Sequence, residues 1–534
     1  AAQPVGVIVG KFVDKGRQRP AMEGRPVPFE KGTILAYSGP EHHLVTGASR
    51  AGKGVGHVVP TLLTWAGSVL VYDPKAELYD ITAGFRSKFS HAFFLNFTRD
   101  DSAAFNPLFE VRKGPNEVAD VQNVVSILID PSGTKQELSF WDQSASDLLT
   151  AIILHQLYAA PDDEKNLAAV RAALLDFDAT LLRMSHTYHR FKPGALDEKG
   201  ERVPEVYPEI RLVAMRFLEM EKKIKDSIVA TCLACLVLWS DPRVAAKTSR
   251  SDFTIGDLVC SDAPCSCYIQ APPSDADRLK PLTRLILSQV SKSLMAEIDR
   301  DARGRPKRHK LLFLIDEFPT LGKLGFFETN LRVMAGYGIK AMLIVQSFKD
   351  IAAAYGQNNT IVDNCHVIVA FATADSDTAA RIATMTGKAV EYRESRSRST
   401  GVFSRGSDSR SLSEVQRELL TPGEVRALDY GDQLIFVTGS PPFRTRKVRY
   451  YQEPIFQARA TDIRAGGKGP DQAQRLDVPA IAATPWAGVA PVAEYQGPIS
   501  ETAAPEPVGD LDAVAAATGA DFSQFSAVFP DNFE

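Results

Sequence analysis

Residues 47–54 read Gly-Ala-Ser-Arg-Ala-Gly-Lys-Gly, and no other stretch narrows the choice of fold so far. His43-Leu-Val-Thr46 precedes it as a strand, and the apolar helical run Val55 to Trp65 follows. Strand, glycine-rich turn and helix in that order make a P-loop, whose backbone N–H groups and helix N-terminus cradle nucleotide phosphates. Gly47 and Gly52 let the backbone curl round them, and Ala48, Ser49, Arg50, Ala51, Gly54 and Val55 complete the cradle. Lys53 is expected to reach the β- and γ-phosphates. The Ser or Thr that normally follows the lysine and ligates Mg²⁺ is replaced by Gly54.

A P-loop needs an acidic partner, and Lys310-Leu-Leu-Phe-Leu-Ile-Asp316-Glu317 supplies one. Five apolar residues in a row read as a strand buried on both faces, as in a parallel α/β sheet. Its carboxyl end delivers Asp316 and Glu317 to the edge where such sheets bind ligands. Asp316 is expected to hold Mg²⁺, directly or through water, and Glu317 to polarise the attacking water. Ala341-Met-Leu-Ile-Val-Gln346 is a further buried strand. Gln346 either senses a γ-phosphate or caps its strand. P-loop and acidic strand together predict a nucleotide hydrolase. A dinucleotide-dependent dehydrogenase is excluded, because the loop lacks the G-x-G-x-x-G spacing.

With 534 residues the chain exceeds one ordinary core. Strand signals at Val5 to Val9 and Ile34 to Tyr37 lead into the P-loop, and Ser68-Val-Leu-Val-Tyr-Asp73 follows it, ending in Asp73-Pro-Lys75-Ala-Glu77. Those charged residues would face the nucleotide edge. From residue 108 to 255 the apolar spacing is helical, over Val118 to Ile129, Phe140 to Tyr158, Asn166 to Met184 and Pro208 to Trp239. No strand is expected between these helices, and His186 to Val206 reads as a polar surface loop. Strands return at Cys265 to Ile269, and a long amphipathic helix is expected over Ala276 to Arg300. Later strands are expected at His366 to Phe371 and Gly431 to Val437, near Arg444-Thr-Arg-Lys447.

Arg393 to Ser411, with Arg at 393, 396, 398, 405 and 410, reads as a flexible basic loop able to track a phosphate backbone. Residues 466–534 are rich in Ala, Pro and Gly. They carry ten Asp/Glu and two Lys/Arg, a net of −8, which leaves +4 for the rest of a chain at −4. The expected organisation is a nucleotide-binding part over 1–107 and 256–465, an inserted all-α block over 108–255, and a disordered acidic tail over 466–534 whose end docks on a partner. No run of 18 apolar residues occurs, so no membrane span is expected. The six cysteines lack metal-ligand spacing and read as reduced thiols without zinc.

These pieces make the chain resemble the TraG-like type IV coupling proteins, the ATPases of conjugation and type IV secretion. Gly39-Pro-Glu-His42, Arg50-Ala-Gly-Lys-Gly-Val-Gly56, Pro60-Thr-Leu-Leu63, Asp73-Pro-Lys-Ala-Glu77 and Phe140-Trp141 carry the match. So do Ser251-Asp-Phe253, Asp316-Glu-Phe-Pro319 and Leu419-Leu-Thr-Pro-Gly-Glu424. Glycine after the P-loop lysine is usual in that family. The resemblance spans about residues 30–450. It implies a RecA-like P-loop NTPase domain with an inserted all-α domain, assembled as a homo-hexameric ring with ATP between subunits and DNA in its channel. It further implies residence at the cytoplasmic face of the bacterial inner membrane, through an anchor not seen in this sequence. The implied partners are a relaxase–DNA complex or secreted effector proteins, together with the components of a type IV secretion channel. A trans-acting arginine is implied too, with Arg332 as candidate and Arg381 as rival. Two other functions stay open: the same ATPase serving protein effectors without DNA, and a nucleotide-dependent scaffold with negligible hydrolysis.

Overall fold

Consecutive apolar residues become strands buried on both faces. In Leu311–Ile315, Ser68–Tyr72 and Ile339–Val345 every residue is buried. The computed structural model describes residues 6–14, 29–131, 133, 135, 137–196, 200, 202–398, 408–461, 485–486 and 488–489. Its strands are β1 (Val7–Phe12), β2 (Thr33–Tyr37), β3 (His43–Thr46), β4 (Ser68–Tyr72) and β5 (His91–Leu95). They continue as β6 (Tyr188–Leu196), β7 (Arg202–Val206), β8 (Cys265–Ile269), β9 (Leu311–Ile315) and β10 (Ile339–Val345). The last are β11 (Val367–Ala370), β12 (Lys388–Arg398), β13 (Asp408–Glu418), β14 (Asp432–Val437) and β15 (Phe443–Arg446).

Eleven of them form one sheet, in the order β2-β1-β15-β14-β11-β3-β10-β9-β4-β8-β5. From β11 to β5 the neighbours run parallel, and β14, β15, β1 and β2 add antiparallel pairings at one side. Alternate residues point to opposite faces, as the pleat requires. Leu44, Leu70, Phe313 and Leu343 share a core with the helices between residues 117 and 294. Val45, Val71, Leu314 and Ile344 pack instead with Val58, Leu62 and Leu78 around the P-loop. No helix of the described residues is long and apolar enough to cross a membrane.

The helical block departs from its reading in three places. His186 to Val206 is no irregular loop, because β6 and β7 pair there as an antiparallel hairpin. A pairing of short polar strands leaves no apolar period to read. The run 166–184 breaks into Leu167–Leu175 and Phe177–Met184. The run 208–239 breaks into Pro208–Leu218, Lys222–Cys235 and the 3₁₀ turn Val237–Ser240.

Two further departures lie downstream. The basic segment 393–411 belongs largely to the ribbon β12–β13, paired from Lys388↔Glu418 to Arg398↔Asp408; Arg405 lies outside the described residues. Backbone pairing gives a polar segment order that its composition does not announce. In the tail, Trp486 is fully buried and its indole Nε1 donates to Val111 O at 2.8 Å. Lys165 in turn donates to the carbonyls of Trp486 and Val489 at 2.8 and 3.0 Å. Part of the segment read as a free tail is thus held on the helical block; its far end, 490–534, lies outside the described residues.

The P-loop helix also differs from expectation. Gly54–Val58 is a π-turn, and regular α-helix begins at Val59 and ends at Leu62. Pro60 has no N–H to give Gly56 and its ring crowds that carbonyl, so the i→i−4 ladder is interrupted ahead of it. The short helix is held at its far end by Arg86, which is fully buried. Its guanidinium donates to Leu62 O and Trp65 O at 3.0 and 2.7 Å, to Gly67 O at 2.7 Å and to Ser266 Oγ at 2.7 Å. Burial lowers the Arg86 pKa to about 10.

Arg86→Met is expected to lower unfolding stability by about 3 kcal/mol or more, because the buried Leu62 carbonyl, two part-buried carbonyls and the buried Ser266 hydroxyl lose their donor at once. Urea denaturation measures it; a loss under about 1 kcal/mol would show that those carbonyls find other donors.

Candidate active site

Parallel strands bring their carboxyl ends to one edge of a sheet, and here that edge gathers charge. β3 ends at Thr46 and runs into the P-loop; β10, β9 and β4 lie beside it in that order. They deliver Gln346, Asp316 with Glu317, and Asp73 respectively. Below and beside them opens a cleft of about 1020 Å³, lined by Ser49 to Val55, Asp73, Lys75, Asp316 and Glu317, and closed opposite by Tyr430 and Lys447 to Tyr451.

The loop has the backbone its sequence requires. A Cβ on Gly47 would sit 2.7 Å from the Phe371 Cβ, and Gly52 has φ +93. Only glycine suits either place. Gly54 differs, for a Cβ there would meet nothing within 4 Å. Lys53 curls back so that its Nζ donates to Gly47 O at 2.5 Å and Ala48 O at 3.1 Å. Burial lowers its pKa, while Glu317 and Asp316 pull the other way.

Glu317 is the hub of the acidic end. Its Oε1 accepts from Lys75 Nζ at 3.1 Å and its Oε2 from Gln346 Nε2 at 3.1 Å. The left-handed backbone of Glu317, φ 52 and ψ 46, turns its carboxylate back into the cleft. Asp316 is pushed up by burial first and then by the Glu317 carboxylate. Asp73 is pushed up to about 7 by burial, against hydrogen bonds from the Tyr79 and Leu78 amides.

Arg332 is exposed on the helix Gly325–Met334 and does not line this cleft. Arg381 is also exposed, 3.4 Å from Asp363 and over the Phe348 ring. The structure therefore gathers Lys53, Gly54, Asp316, Glu317 and Gln346 in one place and leaves both arginines outside it.

Sequence reasoning passed over the opposite wall. Lys447 is buried, donates from Nζ to Ala51 O at 3.0 Å, and lies over the rings of Phe371 and Tyr430 at 4.3 and 4.8 Å. Burial, with Arg449 beside it, lowers its pKa to about 7. Tyr430 OH donates to Arg50 O at 3.0 Å, so both residues brace the loop. The run Arg444 to Lys447 at a strand end was the available signal, but nothing in it marks which cation is buried.

The site fits a divalent cation only as part of a complex. Among the described residues no group of three or more His, Cys, Asp and Glu could hold a metal ion. Asp316 and Asp73 bring two carboxylates, and Asp73 Oδ1 is buried with no hydrogen-bond partner. Mg²⁺ is commonly held in that way, by one or two carboxylates together with substrate phosphates and water.

Comparisons with known proteins converge on one family. The family model described as "Type IV secretory system Conjugative DNA transfer" matches residues 3–469. The conjugal transfer protein TraG of Escherichia coli is 36% identical over 485 residues, covering 85% of this chain and 72% of that protein. The protein VirD4 of Agrobacterium fabrum is 31% identical over 440 residues, covering 80% and 61%. Among solved structures, the bacterial conjugative coupling protein TrwBdeltaN70 aligns with TM-score 0.56 at 16% identity, over 78% of this chain and 88% of that one. TrwB in complex with ADP and Mg²⁺ aligns with TM-score 0.53 at 14% identity, over 77% and 86%. The shared fold is the RecA-like P-loop NTPase fold.

Lys447→Met is expected to change how stability varies with pH. The buried lysine takes a proton less readily than an unfolded one, so its burial is costly below about pH 7 and is relieved as pH rises toward the unfolded value. The parent protein should therefore gain on the order of 1–3 kcal/mol between pH 7 and 9 relative to the variant. Denaturant unfolding at the two pH values checks it; parallel pH profiles would refute it.

Proposed function

The chain belongs to the type IV secretory system conjugative DNA transfer family, and from that premise we propose that it is an ATP-hydrolysing coupling protein of conjugation. It recruits a relaxase–DNA complex at the cytoplasmic face of the bacterial inner membrane and energises transfer through the secretion channel. The observation that supports hydrolysis most directly is Glu317, held between Lys75 and Gln346 at the same sheet edge as Lys53 and Asp316. A site that only binds nucleotide has no use for a carboxylate positioned there.

In this reading Lys53 leaves the Gly47 and Ala48 carbonyls for the β- and γ-phosphates, and the loop amides 49–55 surround the phosphates. Glu317 takes the proton of the attacking water as its oxygen bonds to the γ-phosphorus and the bond to the β–γ bridging oxygen breaks, releasing ADP and phosphate. Gln346 shares a hydrogen bond with Glu317, so loss of the γ-phosphate is felt along β10 and the helix Phe348–Tyr355 that follows it. Bound Mg²⁺, held by Asp316 and phosphate oxygens, would offset the charge of the phosphates. Arg332 serves a neighbouring subunit of a homo-hexameric ring, which accords with its exposure outside its own cleft. DNA passes along basic surface, including the β12–β13 ribbon.

ATP turnover measured against protein concentration, with and without single- and double-stranded DNA, tests this reading. Turnover should rise steeply with protein concentration and with DNA, and fall at least about 100-fold in both Lys53→Ala and Glu317→Gln. Turnover indifferent to DNA would favour protein cargo. Nucleotide binding without turnover in a hexameric preparation would favour a scaffold.

A further inference from the structure

We propose that Asp73 shares the nucleotide's divalent cation with Asp316, its free oxygen accepting hydrogen bonds from the cation's water ligands. It thereby supplies what a hydroxyl at position 54 supplies in other P-loops. This inference rests on the nucleotide-site reading above.

The sheet places the two carboxylates as a pair. Tyr72 and Ile315 are register partners on the parallel strands β4 and β9, and Asp316 N donates to Tyr72 O at 3.1 Å. The next residue on each strand is an aspartate, so Asp73 and Asp316 stand side by side across one strand spacing, about 4.8 Å. Both line the cleft that holds Lys53 and Gly54.

Asp73 has one oxygen in use and one to spare. Its Oδ2 accepts from the Leu78 and Tyr79 amides at 2.8 and 3.1 Å, which caps the helix Glu77–Arg86. Its Oδ1 is buried without a partner, and the residue is 1% exposed. An unpaired buried acceptor is destabilising, and a water or an ion in the adjoining cleft would satisfy it. Holding those two amides takes one acceptor oxygen, which the side-chain amide of Asn also offers at the same reach. The second oxygen and its charge are surplus to the fold.

The loop has the matching deficiency. Gly54 offers no hydroxyl, yet a Cβ there meets nothing within 4 Å, so crowding is not why the residue is glycine. Mg²⁺ dehydrates reluctantly and keeps several waters, each needing an acceptor. With no cluster of three metal-ligating residues among those described, two adjacent carboxylates are what the protein can add to the phosphates.

Mn²⁺ binding to the ADP-saturated protein, followed by electron paramagnetic resonance, tests the proposal. ADP affinity in EDTA is measured alongside it. Asp73→Asn keeps an acceptor for the Leu78 and Tyr79 amides, and Asp73→Ser removes the carboxylate altogether. They should weaken Mn²⁺ binding at least ~10-fold, as loss of an outer-shell partner does, while changing metal-free ADP affinity by less than about twofold. Adding Gly54→Ser to Asp73→Asn should recover a large part of that loss. Unchanged Mn²⁺ affinity in both Asp73 variants, with the parent binding normally, would overturn the role of Asp73 alone. No ADP binding by the parent would overturn it together with the nucleotide-site reading.

Discussion

The buried guanidinium of Arg86 is the contact on which the site depends. The P-loop is followed by a short helix that begins as a π-turn, too little structure to hold a phosphate cradle by itself. Arg86 fixes the far end of that helix to Gly67 and to Ser266 on β8. The helix that carries Arg86 begins where Asp73 caps it, beside the acidic strand. One ten-residue helix therefore ties the phosphate loop at one end to the carboxylate edge at the other. A shift of either end is transmitted to both.

Much of this arrangement is legible in the residues themselves. Five-residue apolar runs locate β9 and most of β10 because burial on both faces leaves no polar position to interrupt them. Sequence order alone puts Lys53 and Asp316 at strand ends, and the parallel sheet makes those ends neighbours. What the sequence hides has physical causes as well. The hairpin β6–β7 and the ribbon β12–β13 are polar, so their order comes from backbone pairing that no hydrophobic period records. The π-turn follows from one missing N–H at Pro60, whose local effect a helical period averages away. Trp486 sits in an Ala- and Pro-rich stretch that reads as unstructured, and a single indole with Lys165 and Val111 suffices to dock it. Lys447 looks like one more surface cation until the fold buries it.

The wall opposite the acidic edge gives the loop a second kind of support. Lys447 holds the Ala51 carbonyl and Tyr430 the Arg50 carbonyl, so the outer turn of the P-loop is gripped from residues almost 400 positions away in sequence. Arg50 itself has φ 62, a backbone that a non-glycine residue adopts only when its surroundings impose it. Lys447 and Tyr430 thereby fix the backbone of the turn that lines the cleft.

Glu317 carries the last consequence. Its left-handed backbone is one that glycine adopts freely and glutamate only at a cost of about 1 kcal/mol or more. Relaxing position 317 to glycine would make the chain easier to fold while removing the carboxylate that Lys75 and Gln346 hold. In a laboratory selection for thermostability alone, this position would drift away from glutamate. A screen that scores only folding would thus discard first the carboxylate proposed as the general base.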